Sequence, residues 1–405
     1  MMKMLPNLFK EAAPVLELIE NAGYEAYFVG GSVRDHLLGR SIADVDIATS
    51  ALPEELKRIF SKTVDVGIEH GTILVHHGRN HYEVTTFRSE TGYSDFRRPD
   101  SVTFIRSLKE DLQRRDFTMN AIAMDRTGQI IDPFGGRDAI DQRIIVTVGD
   151  PDARFGEDAL RMLRAVRFLS QLSFSIEQHT FESLAANSQR LENIAAERKL
   201  SEFEKLLLGP RRQEAIQLLS KSGMSRYLPG LNEKNRQLIS FSSHLTSDLD
   251  LAEIWVLLLF ELGLSGKEVD NFLREWKHSV QKIKRYKQIH SMLLHRFEYQ
   301  WNLESVYKAG LDVAISAEKV FGSLRQDECS LEVVIQLYDL LPIYNRRQLA
   351  VSGNDVMTWM TKQPGPWLSE TMAEIERAVI FGKVPNEKEK LKEWLNAFNR
   401  ESEKN

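Results

Sequence analysis

The chain has 405 residues and a formal net charge of −5, with 42% hydrophobic and 27% charged residues. This describes an ordinary globular protein of two to four domains, at roughly 100–200 residues each, and excludes a single small fold. Its one cysteine, Cys329, excludes a disulfide framework and a cysteine metal cluster, and no apolar run approaches the roughly 20 residues that a membrane helix needs. We therefore expect a cytoplasmic protein without a membrane segment. The acidic total argues against a surface that binds nucleic acid everywhere, although it allows a local basic strip.

Short strand-like segments between glycine turns concentrate in the first 149 residues. They are residues 27–29, 45–47, 72–75, 82–87 and 144–148. From Asp158 onward apolar residues recur at helical spacing. Helices are predicted over residues 157–170, 203–208, 251–260 and 372–380. The pattern predicts an α+β fold, with an N-terminal mixed α/β head followed by all-α sections. Proline and glycine breaks favour a head at 1–149, a neck at 150–210, a body at 211–300 and a tail at 301–405.

A glycine turn between a strand and a helix is the first candidate for ligand binding. Gly30 and Gly31 let backbone N–H groups approach an anion closely, and Arg34 follows one helical turn later, so a triphosphate fits there. Asp44 and Asp46 come next on a predicted strand, whose period of two places both carboxylates on one face. Two hard oxygen ligands suit Mg²⁺, which also takes substrate phosphates and can clamp the attacking and leaving oxygens of a phosphoryl transfer.

The segment Gly30–Asp35, taken with Asp44-Val45-Asp46, resembles the signature of class II tRNA nucleotidyltransferases and bacterial poly(A) polymerases, within the DNA polymerase beta superfamily. The resemblance is dense over the first half of the chain and looser beyond it. It implies a DNA polymerase beta-like nucleotidyltransferase head in which Asp44 and Asp46 are catalytic. Glu83, on a neighbouring predicted strand, is a candidate third carboxylate near the metal, and a surface position paired with Arg88 explains it equally well.

Two following segments match motifs of the same family. In Arg115-Asp116, a guanidinium offers a planar fork for phosphate oxygens, and a carboxylate can accept a hydrogen bond from a sugar hydroxyl. The resemblance assigns Arg115 to the nucleotide phosphates and Asp116 to the ribose. A polar, basic stretch containing Asp95, Arg97 and Arg98 indicates a flexible loop. In the family such a loop is implied in the switch from adding C to adding A, so its presence favours full CCA synthesis, and an ordinary solvated loop is the alternative.

The predicted helix over residues 157–170 places Asp158 and Arg161 at i and i+3, which puts a carboxylate beside a guanidinium. Cytosine and adenine both present an exocyclic amine beside an unprotonated ring nitrogen, whereas uracil and guanine present the reverse. One acceptor beside one donor therefore suits C and A, and each unmatched buried polar group costs about 1–3 kcal/mol. By resemblance this pair is the family's amino-acid template, and Arg164 and Arg167 match further nucleotide-contacting arginines. A charged solvent face is the alternative.

The second half offers a candidate surface for nucleic acid. Arg198 and Glu202 match the family's last shared motif, which supports the template helix, although the residues alone are equally typical of a surface pair at i and i+4. Residues 271–300 carry seven basic and two acidic side chains, and such strips bind backbone phosphates. By resemblance their target is the acceptor and TΨC arms of tRNA, and a solvated helix face is the alternative for any one residue.

These observations predict a class II CTP(ATP):tRNA nucleotidyltransferase that uses Mg²⁺, adds C, C and A to tRNA without a nucleic-acid template, and works as a monomer or homodimer. The alternatives are a bacterial poly(A) polymerase, an enzyme that adds only CC or only A, and a catalytically silent RNA-binding protein on the same scaffold. The acidic end of the chain disfavours the polymerase, which usually carries a long basic extension, and the paired aspartates disfavour the silent scaffold.

Overall fold

The computed structural model describes residues 5–92, 101–325 and 329–402, and side chains beyond residue 398 are not described. The chain forms two compact units. The first comprises Met1–Ser242 with Glu275–Lys277, and the second comprises Ser243–Arg274 with His278–Asn405.

A mixed sheet forms the centre of the first unit. Its strands are β1 (Ala26–Val29), β2 (Asp46–Thr49), β3 (Thr63–Gly67), β4 (Thr72–His77), β5 (Asn80–Thr86), β8 (Ala123–Met124) and β9 (Ile130–Ile131), in the order β3-β4-β5-β2-β1-β8-β9. Separate two-stranded pairs are β6 (Arg88–Thr91) with β7 (Ser101–Phe104), and β10 (Ile144–Ile145) with β11 (Ser175–Ile176). Strand β2 is antiparallel to β1 and parallel to β5, which brings the residues at the starts of β2 and α2 together.

Helices cover this sheet and continue beyond it. They are α1 (Asn7–Asn21), α2 (Gly31–Leu37), α3 (Pro53–Ile59), α4 (Leu108–Gln113), α5 (Gly136–Asp141), α6 (Pro151–Glu157), α7 (Leu160–Leu172), α8 (Gln178–Ala186), α9 (Ala196–Leu207), α10 (Arg212–Lys221) and α11 (Asn235–Ser243). The apolar face of α1 packs on β1, where Phe9 and Phe28 place their ring centroids 4.8 Å apart. The mixed α/β head that the strand pattern predicts is confirmed.

The predicted helix over residues 157–170 is interrupted at Asp158, and this part of the prediction is wrong. Asp158 has extended backbone angles between α6 and α7, and its Oδ1 accepts a hydrogen bond from the backbone N–H of Leu160 at 3.0 Å. A short carboxylate competes in this way with the backbone acceptors inside a helix and favours helix ends. Asp158 and Arg161 therefore do not share one helix surface. The predicted strand at 144–148 is also shorter, because only Ile144–Ile145 pairs as a strand.

The second unit is helical throughout its described part. Its helices are α12 (Leu251–Glu261), α13 (Gly266–Glu275), α14 (Val280–Glu298), α15 (Leu303–Ala309), α16 (Leu311–Arg325), α17 (Leu331–Asp339), α18 (Gly353–Met360), α19 (Pro366–Ile380) and α20 (Lys388–Ser402). Asp250 and Ser279 accept backbone N–H groups at the starts of α12 and α14, as N-cap residues do. The helices predicted over 251–260 and 372–380 are confirmed. Among the described residues, no helix is both long enough and apolar enough to span a bilayer.

Candidate active site

The glycine turn between β1 and α2 forms one wall of the site. Gly30 has a φ of +73°, which L side chains rarely adopt. A Cβ atom at Gly30 would lie 3.2 Å from Nη1 of Arg115 and 3.7 Å from Oδ2 of Asp46. Glycine is therefore required both by the backbone angle and by the close approach of two charged side chains. Helix α2 then carries Arg34, whose Nη1 donates to Oδ1 of Asn120 at 2.7 Å.

The predicted aspartate pair lies beside this turn. Asp46 is the first residue of β2 and pairs with Val29, while Asp44 lies two residues before the strand. Both are exposed and Val45 between them is buried, so the expected alternation holds. Although Asp46 is exposed as a whole residue, surrounding protein atoms remove part of the hydration of its carboxyl group and raise its pKa; the negative charges of Asp44 and Glu83 raise it further, while Arg115 opposes them. The negative charges of Asp44 and Glu83 therefore act on Asp46.

The pairing of β2 with β5 places Glu83 beside one of the two aspartates. Because Ile47 lies opposite Val84 in the parallel pair of β2 and β5, Asp46 and Glu83, each one residue earlier, are neighbours. Arg88, which the sequence offered as an alternative partner of Glu83, forms an ion pair with Glu90 at 2.8 Å. Within the described parts of the chain, no group of three or more His, Cys, Asp or Glu side chains is placed so that it could hold a metal ion. The donor set fits a divalent ion that takes two carboxylates and completes its shell with substrate oxygens and water.

A cavity of about 500 Å³ opens from the glycine turn. It is lined by Gly30, Gly31, Arg34, Asp46, Arg114, Arg115, Asp116, Asn120, Asp158, Leu160, Arg161, Arg164, Arg167, Phe168 and Arg198. Residues from four separate sequence motifs thus meet in one space. Seven arginines face three aspartates in this lining, so the cavity favours an anionic ligand. Asp44 and Glu83 line a neighbouring cavity of about 440 Å³, and Asp46 borders both cavities.

Asp116 is the most heavily hydrogen-bonded carboxylate described in this cavity. Its Oδ1 accepts from the backbone N–H of Phe117 at 2.8 Å and from Nδ2 of Asn120 at 3.0 Å, and its Oδ2 accepts from Nε and Nη2 of Arg164 at 2.8 and 2.6 Å. Burial acts to raise its pKa, but the Arg164 charge and the Asn120 hydrogen bond outweigh it and hold the pKa well below its usual range. Asp116 is therefore ionised, and protein donors use all four of its acceptor positions.

The two residues predicted to read the base face the same cavity but pair with other partners. Asp158 forms an ion pair with Arg198 at 2.8 Å, and Arg161 forms one with Glu157 at 2.5 Å. Nη2 of Arg161 also donates to the carbonyl oxygen of Arg114 at 2.9 Å. Each side chain is thus held in one orientation, which leaves Oδ2 of Asp158 and Nε of Arg161 with capacity for a further hydrogen bond.

Arg198 and Glu202, the two predicted supporting residues, both lie on helix α9. Arg198 pairs with Asp158, and Glu202 pairs with Arg167 at 2.8 Å. Both contacts cross from α9 to the region of α7, so the surface pair at i and i+4 is not the arrangement seen. Burial lowers the pKa of Arg167 to about 10, partly offset by Glu202, so this guanidinium stays charged near neutral pH.

Several residues in or beside the site are absent from the sequence-based candidates, among them Asp111 and Phe168. Asp111 is 1% exposed and holds Arg114 at 2.8 Å and Arg115 at 3.3 Å. Its position three and four residues before these arginines, around the end of α4, was an available signal. Phe168 lies in the wall of the cavity, and nothing in the helical pattern distinguished it from core residues. The predicted loop residues Asp95, Arg97 and Arg98 lie outside the described residues.

The fold is that of a nucleotidyltransferase. A family model described as "Poly A polymerase head domain" matches residues 26–146, and a model of tRNA nucleotidyltransferase domain 2 matches residues 249–395.

Relatives of known activity narrow this class. The CCA-adding enzyme of Geobacillus thermodenitrificans is 50% identical over 401 residues, which is 98% of this chain and 99% of the relative. The CCA-adding enzyme of Geobacillus sp. (strain WCH70) is 48% identical over 391 residues, 96% of each chain. The crystal structure of the Bacillus stearothermophilus CCA-adding enzyme in complex with CTP superimposes with a TM-score of 0.90 at 46% identity, and the match covers 99% of this chain and 100% of that one.

The chain belongs to the family of CCA-adding enzymes. The predicted family, fold class and nucleotidyltransferase activity are thereby confirmed. Enzymes of this family generally use a divalent metal ion.

Proposed function

We propose that this chain adds C, C and A in sequence to the 3′ end of tRNA, using CTP and ATP, releasing pyrophosphate and requiring no nucleic-acid template. The reaction serves tRNA maturation and 3′-end repair in the cytoplasm. The observation that carries the proposal is the single arginine-rich cavity that joins Asp46, Arg115, Asp116 and Asp158. The bound CTP in the B. stearothermophilus relative, at 46% identity, supports it.

Asp44 and Asp46 are the catalytic carboxylates and hold Mg²⁺, with Glu83 as a candidate third ligand. When bound, this ion supplies positive charge to the attacking and leaving oxygens of the nucleotidyl transfer. The position of Asp46 at the border of the two cavities supports this role, because the reacting 3′ hydroxyl and the α-phosphorus have to meet at one point.

The triphosphate is held by the glycine turn and the neighbouring arginines. Gly31 allows close approach of the backbone, and Arg34 and Arg115 supply guanidinium groups whose planar forks match phosphate oxygens. Nε of Arg115 is buried and has no hydrogen-bond partner in the described structure, which leaves a donor available for a ligand. Arg164 and Arg167 line the same cavity and add positive charge to it.

Asp116 contacts the ribose. Since its four acceptor positions are filled without a nucleotide, a sugar hydroxyl has to replace one existing donor. Two of these donors are side chains that can move, the amide of Asn120 and the guanidinium of Arg164. The amide is the weaker of the two, because a neutral donor binds a carboxylate less strongly than a guanidinium does. Ribose binding therefore exchanges the Asn120 hydrogen bond for one from the sugar.

Asp158 and Arg161 select the base, even though they do not share a helix surface. The fixed acceptor of Asp158 faces an exocyclic amine, and the fixed donor of Arg161 faces an unprotonated ring nitrogen, as cytosine and adenine present them. Uracil and guanine place a carbonyl against the carboxylate and an N–H against the guanidinium. Arg198 and Glu157 keep the two side chains from turning to accept the wrong bases.

The helical sections bind the acceptor and TΨC arms of tRNA. Lys284, Arg285 and Lys287 are carried by α14 in the basic stretch 271–300, and Lys284 and Lys287 border a surface cavity of about 450 Å³. The head at 1–149, neck at 150–210, body at 211–300 and tail at 301–405 are the corresponding functional sections. The segment containing Asp95, Arg97 and Arg98, which lies outside the described residues, permits the switch from C to A, which distinguishes this chain from enzymes that add only CC.

The test offers three tRNA transcripts, lacking CCA, CA or A, with labelled CTP or ATP, and sizes the products. We expect additions that stop at three, two and one nucleotides respectively. Long A tails would indicate a poly(A) polymerase, additions that stop after CC or require a preformed CC would indicate a partial enzyme, and binding without addition would indicate a silent scaffold. Each of these three results contradicts the proposal.

A further inference from the structure

We propose that Phe168 is a positioning residue for nucleotide addition: its ring orders the guanidinium groups of Arg34, Arg164 and Arg167 that face the nucleotide. The inference rests on the proposed function, in which these arginines bind the substrate, and it adds a residue that has no hydrogen-bonding group of its own.

The geometry is a single buried ring surrounded by three cations. The side chain of Phe168 is 4% exposed and lines the cavity. Its ring centroid lies 4.0 Å from Cζ of Arg167, 5.1 Å from Cζ of Arg34 and 5.5 Å from Cζ of Arg164. One guanidinium within about 6 Å of a ring is already an attractive contact, because the negative face of the ring offsets the cation's lost hydration. Three such contacts on one ring make it the common support of the cationic wall.

Each of the three guanidiniums also pairs with its own acidic partner. The pairs are Arg34 with Asp35, Arg164 with Asp116 and Arg167 with Glu202. These partners lie on different parts of the chain, and the positive charges of Arg34 and Arg164 act against that of Arg167. The ring of Phe168 is the contact that the three share, so it determines how closely they can be gathered around one ligand.

The ring itself is fixed by the core. Phe117 packs against Phe168 edge to face, with centroids 5.8 Å apart and an interplanar angle of 88°. Phe117 is fully buried and its backbone N–H donates to Asp116. An aliphatic side chain of similar size would fill the same space but would offer no negative face. The arginines would then be less ordered before binding, and the nucleotide would have to order them at a cost in affinity.

The test measures equilibrium binding of CTP and ATP to the full-length protein with Phe168→Leu and Phe168→Tyr. We expect Phe168→Leu to weaken both nucleotides about tenfold and by the same factor, because the ring contacts arginines rather than the base. Phe168→Tyr keeps an aromatic face and should bind within about threefold of the unsubstituted chain. In steady state, KM for both nucleotides should rise more than kcat falls, and KM for tRNA should not change.

A second measurement separates the effect of the electron density on the ring face from the effect of the ring's shape. Replacing Phe168 by mono-, di- and trifluorinated phenylalanine keeps the shape but removes electron density from the ring face, so the Kd for CTP should rise with each fluorine. Phe174→Leu is the matched control, since Phe174 is 1% exposed in the same unit but lies outside the cavity lining. A flat fluorine series, or Phe168→Leu binding as the unsubstituted chain does, would overturn the inference alone. An unsubstituted chain that binds neither nucleotide would overturn the proposed function as well.

Discussion

The carboxylate of Asp158 lies 2.8 Å from the guanidinium of Arg198, a residue forty positions further along the chain. Asp158 lies between two helices and Arg198 lies on a third, so this ion pair fixes a residue whose local backbone is not helical. A base-reading carboxylate needs such support, because specificity depends on an acceptor that cannot turn away from the wrong partner. In the proposed function, the pair connects the selection of C and A to a residue that need not touch the base.

We therefore expect Arg198→Ala to reduce the fidelity of nucleotide selection while the protein still folds. Without the ion pair, Asp158 can rotate, so we expect kcat/KM for CTP to fall about tenfold and the ratio of CTP to UTP incorporation to fall by a similar factor. Single-turnover incorporation with each of the four nucleotides measures both values. Arg226→Ala is the control, because Arg226 is exposed in the same unit and lies outside the cavity lining. An unchanged CTP to UTP ratio in Arg198→Ala would contradict the positioning role.

Asp44→Asn and Asp46→Asn should each lower the rate of nucleotide addition by about a thousandfold or more, since the amide removes a negative charge from the metal-binding pair. tRNA binding, measured by filter retention, should stay within about threefold. Asp141→Asn is the control, because Asp141 is exposed at the end of α5. Loss of tRNA binding in parallel with activity would show that the aspartates act through folding rather than through catalysis.

Asp116→Asn should reduce the preference for ribonucleotides about tenfold. The substitution removes the charge that holds Arg164 and leaves a weaker acceptor for the sugar hydroxyl. The measurement compares kcat/KM for CTP and deoxy-CTP, with Asp138→Asn as a control outside the cavity lining. A variant that loses activity toward both nucleotides equally, with the same ratio, would argue that Asp116 only supports Arg164.

The second unit should lose stability as the pH falls below 6.5. Burial, with a smaller contribution from Lys282, lowers the pKa of His278 to about 4, and its ring lies edge to face against Trp255 at 4.4 Å. Between the unfolded pKa near 6.5 and the folded pKa, the unfolded chain binds more protons, so folding free energy is lost as pH falls through this window, by about 3 kcal/mol in total.

Urea unfolding followed by tryptophan fluorescence, from pH 7 to pH 4, measures this loss. His278→Gln should reduce the pH dependence even if it lowers stability at pH 7, with the remainder coming in part from His290, whose pKa burial also lowers, whereas His179→Gln, at an exposed position of the first unit, should keep it. A dependence of the same size in His278→Gln would assign the titration to another group.

Much of the catalytic head could be predicted because its pattern is local. The alternation around Val45 places Asp44 and Asp46 on one side, and this needs only the geometry of an extended chain. The glycine turn likewise follows from a backbone angle that Gly30 tolerates. The order in which the strands pair was not predictable, since pairing β2 with β5 depends on contacts across the unit.

The neck shows where sequence reasoning fails. Helical spacing runs through residues 157–170 without a visible break, and the break at Asp158 depends on competition between its side chain and the backbone. Partners such as Arg198 and Asp111 follow from tertiary packing that periodicity does not describe. Phe168 reads as one more apolar residue of an amphipathic helix, and only its three arginine neighbours reveal a site residue.

The most direct measurement sequences the 3′ ends of products made from a tRNA transcript lacking CCA, with all four nucleoside triphosphates present at equal concentration. If the cavity selects bases through Asp158 and Arg161 and the chain completes the full addition, nearly all extended molecules will end in C, C and A and none will be longer. The proposed function would be contradicted by products that carry U or G, that stop after two C residues, or that continue into A tails.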